Sequence, residues 1–248
     1  MTAFLTLVRY KKRHIYFALC AMALHRIPLW RNPRVSFHKT LGCGQGDTFS
    51  RQADWQQYGL LAVSGEDFSK TDLKNLPAQE VHKRVYGNFV TGWWRFFGCE
   101  TYTIMLQPIE GHGYWDGKTA FGQLPPKTDY DGPVGVLTRA TIFQQKSKRF
   151  WEHVEAVSEQ MRQSPGYLFS VGVGETPWLR QATFSVWRSK ESMKTFAYRS
   201  VHHADVIAKT RKEKWYKEDM FVRFRILSRW GSLKGNDPLA MLFASPHE

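Results

Sequence analysis

Two adjacent histidines, His202 and His203, are the first candidates for metal-centred chemistry in this sequence of 248 residues. They lie in YRSVHHADVIAKTRKEKW, at the start of a predicted helical run that includes the apolar residues Val206 and Ile207. A neutral imidazole is a common ligand of iron, zinc and copper, and one histidine is enough to ligate a haem iron. The helical run does not determine whether the imidazoles face solvent or a pocket. Rival ligands are the imidazoles of His38, His82 and His112 and the thiolates of Cys43 and Cys99.

The hairpin-like segment YLFSVGVGETPWLRQATFSVW (167–187) carries more functional groups than a turn requires. A tight hairpin needs only Asn-Gly or Gly-Gly at its tip. Here the tip and the residues after it present a carboxylate, an indole, a guanidinium and an amide. We expect Glu175, Trp178, Arg180 and Gln181 to line the mouth of a pocket. For Trp178, which follows Pro177, capping of the core is the alternative.

Arg139 lies in the middle of the strand-like run VGVLTRATI (134–142), among apolar residues. A buried guanidinium is costly unless it is paired with an anion. The position therefore predicts one of two roles for Arg139. The first is to bind a carboxylate, a cofactor propionate or a bound oxygen species, and the second is a structural ion pair with Glu175.

Several enzyme classes are excluded because their motifs are absent from the sequence. It contains no GxSxG, Walker loop, HExxH or dinucleotide fingerprint. GCGQGD (42–47) resembles a phosphate loop, but its counterpart GVGETP lies in a hairpin, so we interpret these glycines as turn residues.

Three separated cysteines without a CxxC pair argue against a disulfide framework and a zinc site, and are typical of a reducing compartment.

The formal net charge of +13 and the aromatic content of 15% point to an anionic partner, either nucleic acid or an acidic membrane surface. The basic stretches RYKKRH and KTRKEKWYK are more typical of solvated helix faces, so we expect no nucleic acid partner.

The N-terminus lacks the order of a secretory signal, and IYFALCAMAL (15–24) is too short to span a bilayer. We expect a cytoplasmic protein with peripheral contact to the inner membrane surface.

The elements that position these residues occur twice along the chain, in the order β-α-β-β-α-β. Leu5-Thr6 matches Leu137-Thr138, and Glu100 before one strand matches Glu218 before another. This order is that of a ferredoxin-like unit. The predicted fold is α+β, with two tandem ferredoxin-like repeats packed sheet to sheet as a barrel within one chain. The repeats are predicted at 1–112 and 134–248, with a linker at 113–133 that is rich in Gly, Pro and Asp.

The second repeat resembles the spheroidene monooxygenase family. The resemblance rests on GVLTRATI, FWEHVEAVSEQM, FSVGVGETPWLRQATFSVW, HADVIAKTRKEKWYKEDMFVRFRIL and GNDPLA, and more loosely on FHKTLGCGQGDTF in the first repeat. It implies a haem b (iron) monooxygenase of the dimeric α+β barrel type that hydroxylates an acyclic carotenoid such as spheroidene and oxidises it to a ketone.

The resemblance also implies roles for individual residues. His203 becomes the proximal iron ligand, with His202 as its rival, and Arg139, Trp178 and Gln181 become distal-pocket or propionate contacts. Implied partners are a small apolar substrate, O2 and an external reductase or ferredoxin, in a monomer or homodimer. Two alternatives stay open, a haem monooxygenase acting on another small natural product and a non-enzymatic haem or apolar-ligand binding protein.

Overall fold

The computed structural model describes residues 1–46, 50–66, 68, 73–176, 179–199, 210 and 213–244. Its eight strands form one closed antiparallel barrel in the order β1-β3-β2-β6-β7-β5-β8-β4. The strands are β1 (Thr2–Arg9), β2 (Phe37–Gly44), β3 (Ala53–Ser64), β4 (Glu100–Gly113), β5 (Val134–Ile142), β6 (Tyr167–Thr176), β7 (Arg180–Trp187) and β8 (Tyr216–Gly231).

Each half of the chain contributes four adjacent strands to the barrel. The first half is ordered β4-β1-β3-β2 and the second β8-β5-β7-β6, so the two halves have the same strand order. They join through β2–β6 at one side and β4–β8 at the other. The predicted α+β class and the tandem ferredoxin-like arrangement are confirmed. Because the barrel closes within one chain, it has none of the free edges that would pair with a second copy.

The helices lie outside the barrel and cover its outer face. They are α1 (Ile15–Leu24), α2 (Arg26–Trp30), α3 (Ala78–Phe96), α4 (Ser147–Arg162) and α5 (Lys190–Arg199). The sequence predicts single helices over 14–30 and 189–216. The first segment forms two helices, α1 and α2, divided at His25, and the second prediction extends into β8, which begins at Tyr216. No helix among the described residues is both long and apolar enough to cross a bilayer.

The core has an inner and an outer layer because successive strand residues point to opposite faces. In β5, for example, Leu137 packs in the barrel interior, whereas Val134 and Val136 pack outside it against Met193 and Phe196 of α5. The outer layer of the first half packs α1 and α3 on the opposite part of the barrel. The functional groups of a strand are thereby divided between the interior and the helix layer.

The segments after β4 and β8 form matching turns that bind across the two halves. Trp115–Lys118 and Leu233–Asn236 are each closed by a bridge between their end residues. The central backbone N–H groups of the first turn donate to Glu218 of β8 (3.0 and 2.8 Å), and those of the second donate to Glu100 of β4 (3.0 and 2.7 Å). The tail of each half is thus anchored to the last strand of the other. The repeat bounds at 112 and 134 stay predictions.

Gly113 and Gly231 enter these turns with φ of 91° and 86°, and a Cβ on either would collide with the backbone carbonyl of the neighbouring strand, at Asp219 and Thr101 respectively. We expect Gly113→Ala and Gly231→Ala each to lower the free energy of unfolding by about 2 kcal/mol or more, since strain and collision add. Urea unfolding measures this. Gly92→Ala is the control, because Gly92 lies in α3 with open space around it, and it should stabilise by about 0.5–1 kcal/mol. Equal effects at all three positions would contradict the expectation.

Candidate functional site

A cavity lies outside the barrel, between the outer face of β5, β7 and β8 and helices α4 and α5. It has two adjacent compartments, an inner one of about 180 Å³ and an outer one of about 710 Å³. We call them together the second-half cavity. The residues that line both compartments are Thr138, Met193, Ala197, Tyr216 and Phe221. The outer volume lies within the range that small-molecule sites typically have.

The inner compartment is apolar because both the sheet and the helices turn apolar side chains towards it. Outward-facing positions of β5 and β7 contribute Val136, Ala140 and Trp187. Helix α4 presents Val154 and Met161 from the same face, seven residues apart. Such a lining excludes water and accepts a flat or elongated apolar group.

A buried carboxylate with cationic partners forms one wall of the outer compartment. Glu110 is 1% exposed and accepts hydrogen bonds from Lys190 Nζ (2.6 Å), Arg223 and the backbone N–H of Thr128 (2.8 Å). Burial alone raises the pKa of this carboxyl, but the bonds from Lys190 and Arg223 outweigh it and lower the pKa to about 2. Within the described part of the chain, Arg223 Nε is buried without a hydrogen-bond partner. Arg139, which also lines the outer compartment, likewise has a buried Nε without a partner among the described residues, so two arginines of this wall each hold an N–H group that is not satisfied.

Sequence reasoning missed this cluster, since Glu110, Lys190 and Arg223 come from three distant segments. The one available signal was Glu110 itself, which follows the apolar run TIMLQPI directly.

Gln181 lies where it was expected, at the second-half cavity. Its outward-facing side chain lines the inner compartment, and its Nε2 donates to the backbone carbonyl of Thr176 (3.0 Å). Gln181 also lines a second groove of about 380 Å³, at the junction of β2 and β6, which we call the junction groove. Other residues that line the junction groove are Leu19, Met22, Trp55, Trp151 and Gly174.

Arg139 contributes to the wall of the outer compartment, but its guanidinium is engaged by carboxylates at the barrel end. It donates to Glu218, lies 3.7 Å from Glu175 and 3.4 Å from Asp116, and is 1% exposed. The ring of Trp115 lies 5.5 Å from the guanidinium carbon. The ion pair with Glu175 is therefore confirmed, although Glu218 is the nearer partner. A contact to a propionate or an oxygen species stays a prediction.

Glu175 and Arg180 belong to this barrel-end cluster rather than to the mouth of the second-half cavity. Glu175 accepts hydrogen bonds from Trp115 Nε1 (2.6 Å) and Lys39 Nζ (2.7 Å). Arg180 lies 3.6 Å from Asp116. Three cations and three carboxylates thus balance one another in this cluster.

His202, His203 and Trp178 lie outside the described residues. The described residues on either side of 200–209 do bear on the site, since Ala197 of α5 and Thr210 both line the outer compartment.

The rival ligands have other surroundings. Cys43 lies in the barrel interior, where burial raises the pKa of its thiol to about 12, and burial likewise raises that of Cys99 to about 12. Burial thus disfavours, at both thiols, the thiolate form in which cysteine ligates a metal. His112 is an exposed residue of the outer compartment, its ring stacked 5.9 Å from that of Phe221. His38 is half-buried on β2, where burial lowers the pKa of its imidazole.

In the first half, the layer that corresponds to the second-half cavity is filled by large side chains, two of them histidines. Trp94 Nε1 donates to Tyr58 Oη (2.7 Å), and Tyr58 in turn lies 3.0 Å from His25 Nδ1. His82 Nε2 lies 2.7 Å from Thr103 Oγ1. His82 is therefore a hydrogen-bonded core residue in this structure. The two halves differ because aromatic side chains fill the helix layer of the first half, whereas the same layer of the second half contains a cavity.

These two histidines predict a loss of stability on acidification. Burial lowers the pKa of both His25 and His82 to about 4, below the ordinary value near 6.5. Between these pH values the unfolded chain binds protons that the folded chain does not, so stability falls as the pH drops from about 6.5 to about 4. Each histidine contributes up to about 3 kcal/mol to this loss.

Urea midpoints at pH 7.5, 6 and 5 measure the effect. His82→Asn should flatten the pH dependence, and the exposed control His112→Asn should keep it. A midpoint that is constant across this range would contradict the assignment.

Comparison with known proteins places this fold in a class. Two solved structures of aldoxime dehydratase, one in complex with butyraldoxime, superpose on 96% of this chain and on 84–86% of their own, with TM-scores of 0.59 and 0.60. Their sequence identity is 10–11%, so the likeness shows the fold alone. The protein is a single-chain α+β barrel of this architecture. No family model matches the sequence.

Curated relatives define the family more closely. The spheroidene monooxygenase of Rhodobacter capsulatus is 34% identical over 90% of this chain and 89% of its own length. Those of Cereibacter sphaeroides and Rubrivivax gelatinosus are each 32% identical, over 94% and 84% of this chain and 68% and 75% of theirs. This chain belongs to the spheroidene monooxygenase family and is a monooxygenase, an oxidoreductase. The resemblance noted in the sequence is confirmed.

Proposed function

We propose that this protein is a haem-dependent monooxygenase of an acyclic carotenoid such as spheroidene, which it hydroxylates near a chain end and oxidises to a ketone. The observation that carries the proposal is the second-half cavity, in which an apolar compartment adjoins one lined by charged residues of both signs. Relatives named for spheroidene, at 32–34% identity, support the substrate class.

The described residues fit a haem in three respects. The second-half cavity as a whole has the room of a small-molecule site, and its inner compartment adds the apolar surface against which a porphyrin ring could pack. The outer compartment offers cations for propionates, namely Lys214, Lys217 and Arg223, whose buried Nε has no partner among the described residues. The third respect is that two described residues, Ala197 and Thr210, line the outer compartment on either side in sequence of the predicted ligand. We assign His203 as the proximal ligand, with His202 as its rival.

Bound haem supplies the activation of O2, and the residues of the chain supply its surroundings. The apolar wall of the inner compartment excludes water from the reacting carbon. Tyr216 lines both compartments, and burial raises the pKa of its phenol to about 12, so the phenol holds its proton at neutral pH and serves as a donor. We place Gln181 at the substrate, where its carboxamide orients the chain end, and Trp178 beside the cofactor.

The substrate needs a path longer than the inner compartment alone. Gln181 borders both this compartment and the junction groove, so the two line up as one apolar route past a single side chain. Trp55 and Trp151 supply flat apolar surface along the groove, suited to a conjugated polyene. Electrons come from an external reductase or ferredoxin, and the closed barrel favours a monomer.

An absorption spectrum tests the cofactor first. The protein is produced with a haem precursor and recorded in the ferric state and then reduced with carbon monoxide, and a histidine-ligated haem spectrum is expected. Colourless, iron-free protein would refute the haem. Turnover is then measured with spheroidene, O2 and a ferredoxin–reductase pair. Haem binding with turnover of a different natural product, or with no turnover of any polyene, would favour the two alternative functions.

A further inference from the structure

The helices of the first half expose an unusual number of large apolar side chains. Tyr16 is 81% exposed, Trp30 77% and Phe96 82%, although each lies in or at the end of a well-formed helix. Five more residues of the same three helices are exposed, namely Phe17, Leu19, Leu24, Ile27 and Phe89. Single exposed apolar residues are ordinary, but a group of this size marks an interaction surface.

Helix α1 shows most clearly that this surface lacks a partner within the fold. Its sequence, IYFALCAMAL, is apolar on every side, yet only Ala18 and Ala21 are buried. A helix that is apolar all round is normally buried in a core or in lipid. The barrel covers one narrow side of α1 and leaves the larger side chains outside.

The exposed residues form one continuous surface across α1, α2 and the C-terminal part of α3. Phe17 stacks on Phe97 with ring centroids 4.5 Å apart, and Phe96 lies 4.9 Å from the same ring. Phe89 lies 6.2 Å from His25, at the junction of α1 and α2. We call this the helix-layer surface.

The charge around the helix-layer surface has one sign. The sequence contains no Asp or Glu before Asp47. Exposed cations in this region are Lys11, Lys12, Arg13, Arg26 and Arg31, and Arg95 is exposed on α3 beside Phe96. Aromatic and aliphatic side chains bordered by Lys and Arg are the composition of elements that lie in the headgroup region of an anionic bilayer.

We propose that the helix-layer surface docks this protein on an anionic lipid bilayer, with Tyr16, Trp30 and Phe96 inserted among the headgroups. The docking follows from the exposed side chains and charges and requires neither the haem nor the carotenoid of the proposed function. Docking in this way would also place the junction groove next to the bilayer, because Leu19 and Met22 of α1 line the groove. An apolar substrate leaving the bilayer would meet the groove beside the docked helix.

Vesicle co-sedimentation of the full chain tests the proposal. Vesicles of phosphatidylcholine alone are compared with vesicles that contain 30–40% phosphatidylglycerol (about one charged lipid in three, as in an acidic surface). Binding to the anionic vesicles is expected, and it should fall as salt is raised. Replacing three surface cations, as Lys12→Gln, Arg13→Gln and Arg26→Gln together, should weaken binding on the order of 100-fold, since each cation contributes about a factor of five.

Insertion is tested by Tyr16→Ser with Trp30→Ser, which leaves the charge unchanged and should weaken binding at least about 10-fold, since two large apolar groups are lost. The matched apolar control is Tyr114→Ser with Met241→Ser, two residues that are 53% and 56% exposed elsewhere. The matched charge control is Lys127→Gln, Lys148→Gln and Lys194→Gln, all exposed in the second half or the segment before it.

Binding lost in the surface variants and kept in both controls supports the proposal. Equal losses in the surface and control variants would overturn it, because net charge alone would then explain binding. No binding to anionic vesicles would overturn it as well. Substrate and haem are absent from the assay, so these outcomes are independent of the spectrum that tests the proposed function.

Discussion

Replacing His203 by alanine is expected to abolish the haem absorption of the purified protein and all turnover that depends on it. The second-half cavity is lined by apolar side chains and by cations, but the described residues that line its inner compartment include no histidine or cysteine. One axial ligand fixes the iron, so its loss removes the bond that holds the cofactor most specifically. The Soret band and the iron content of protein produced with a haem precursor measure the result.

His202→Ala is the matched control for this variant, since the two imidazoles are adjacent in sequence. It should retain haem and the spectrum of the parent protein. Imidazole added to His203→Ala should restore part of the spectrum, which a merely structural role for His203 would not allow. Loss of haem in His202→Ala with retention in His203→Ala would exchange the two assignments. Retention in both would move the ligand to His112, which lies at the outer compartment.

The fold was accessible from the sequence because its signals are local and occur twice. Strand β5 has the predicted bounds, Val134–Ile142, since its apolar run follows Gly-Pro and gives way, after Phe143, to a polar stretch. The repeat of Glu100 and Glu218 also had structural meaning, because each glutamate receives the turn from the other half. Closure of the barrel required pairing between the halves, through β2–β6 and β4–β8, which no local pattern encodes.

The site was less accessible because it is assembled from distant segments. Gln181 was placed correctly from its position in the hairpin, but Glu110, Lys190 and Arg223 meet only through the barrel. Arg139 was recognised as needing an anion, and one of its partners was named. The others were not predictable, since Asp116 reaches Arg139 through the turn after β4 and Glu218 through strand pairing. The exposure of α1 could not be predicted either, because a run of ten apolar residues is typical of a buried helix.

Arg139→Leu is expected to lower the free energy of unfolding by about 3–5 kcal/mol, the cost of removing one partner from a buried ion pair. Arg139 is 1% exposed and Glu175 has a side chain that is 8% exposed, so the remaining carboxylate has little access to water. Lys39 still faces Glu175, which places the loss within this range rather than above it. Chemical unfolding at neutral pH, followed by circular dichroism, measures the change.

Arg180→Gln is the control within the same cluster, because its guanidinium is 46% exposed and its carboxylates lie 3.6 and 3.9 Å away. An exposed pair of this kind contributes about 0–1 kcal/mol, so the control should unfold close to the parent protein. If Arg139→Leu instead keeps the parent stability and loses haem or turnover, the guanidinium acts on a bound group and the structural ion pair is not its main role.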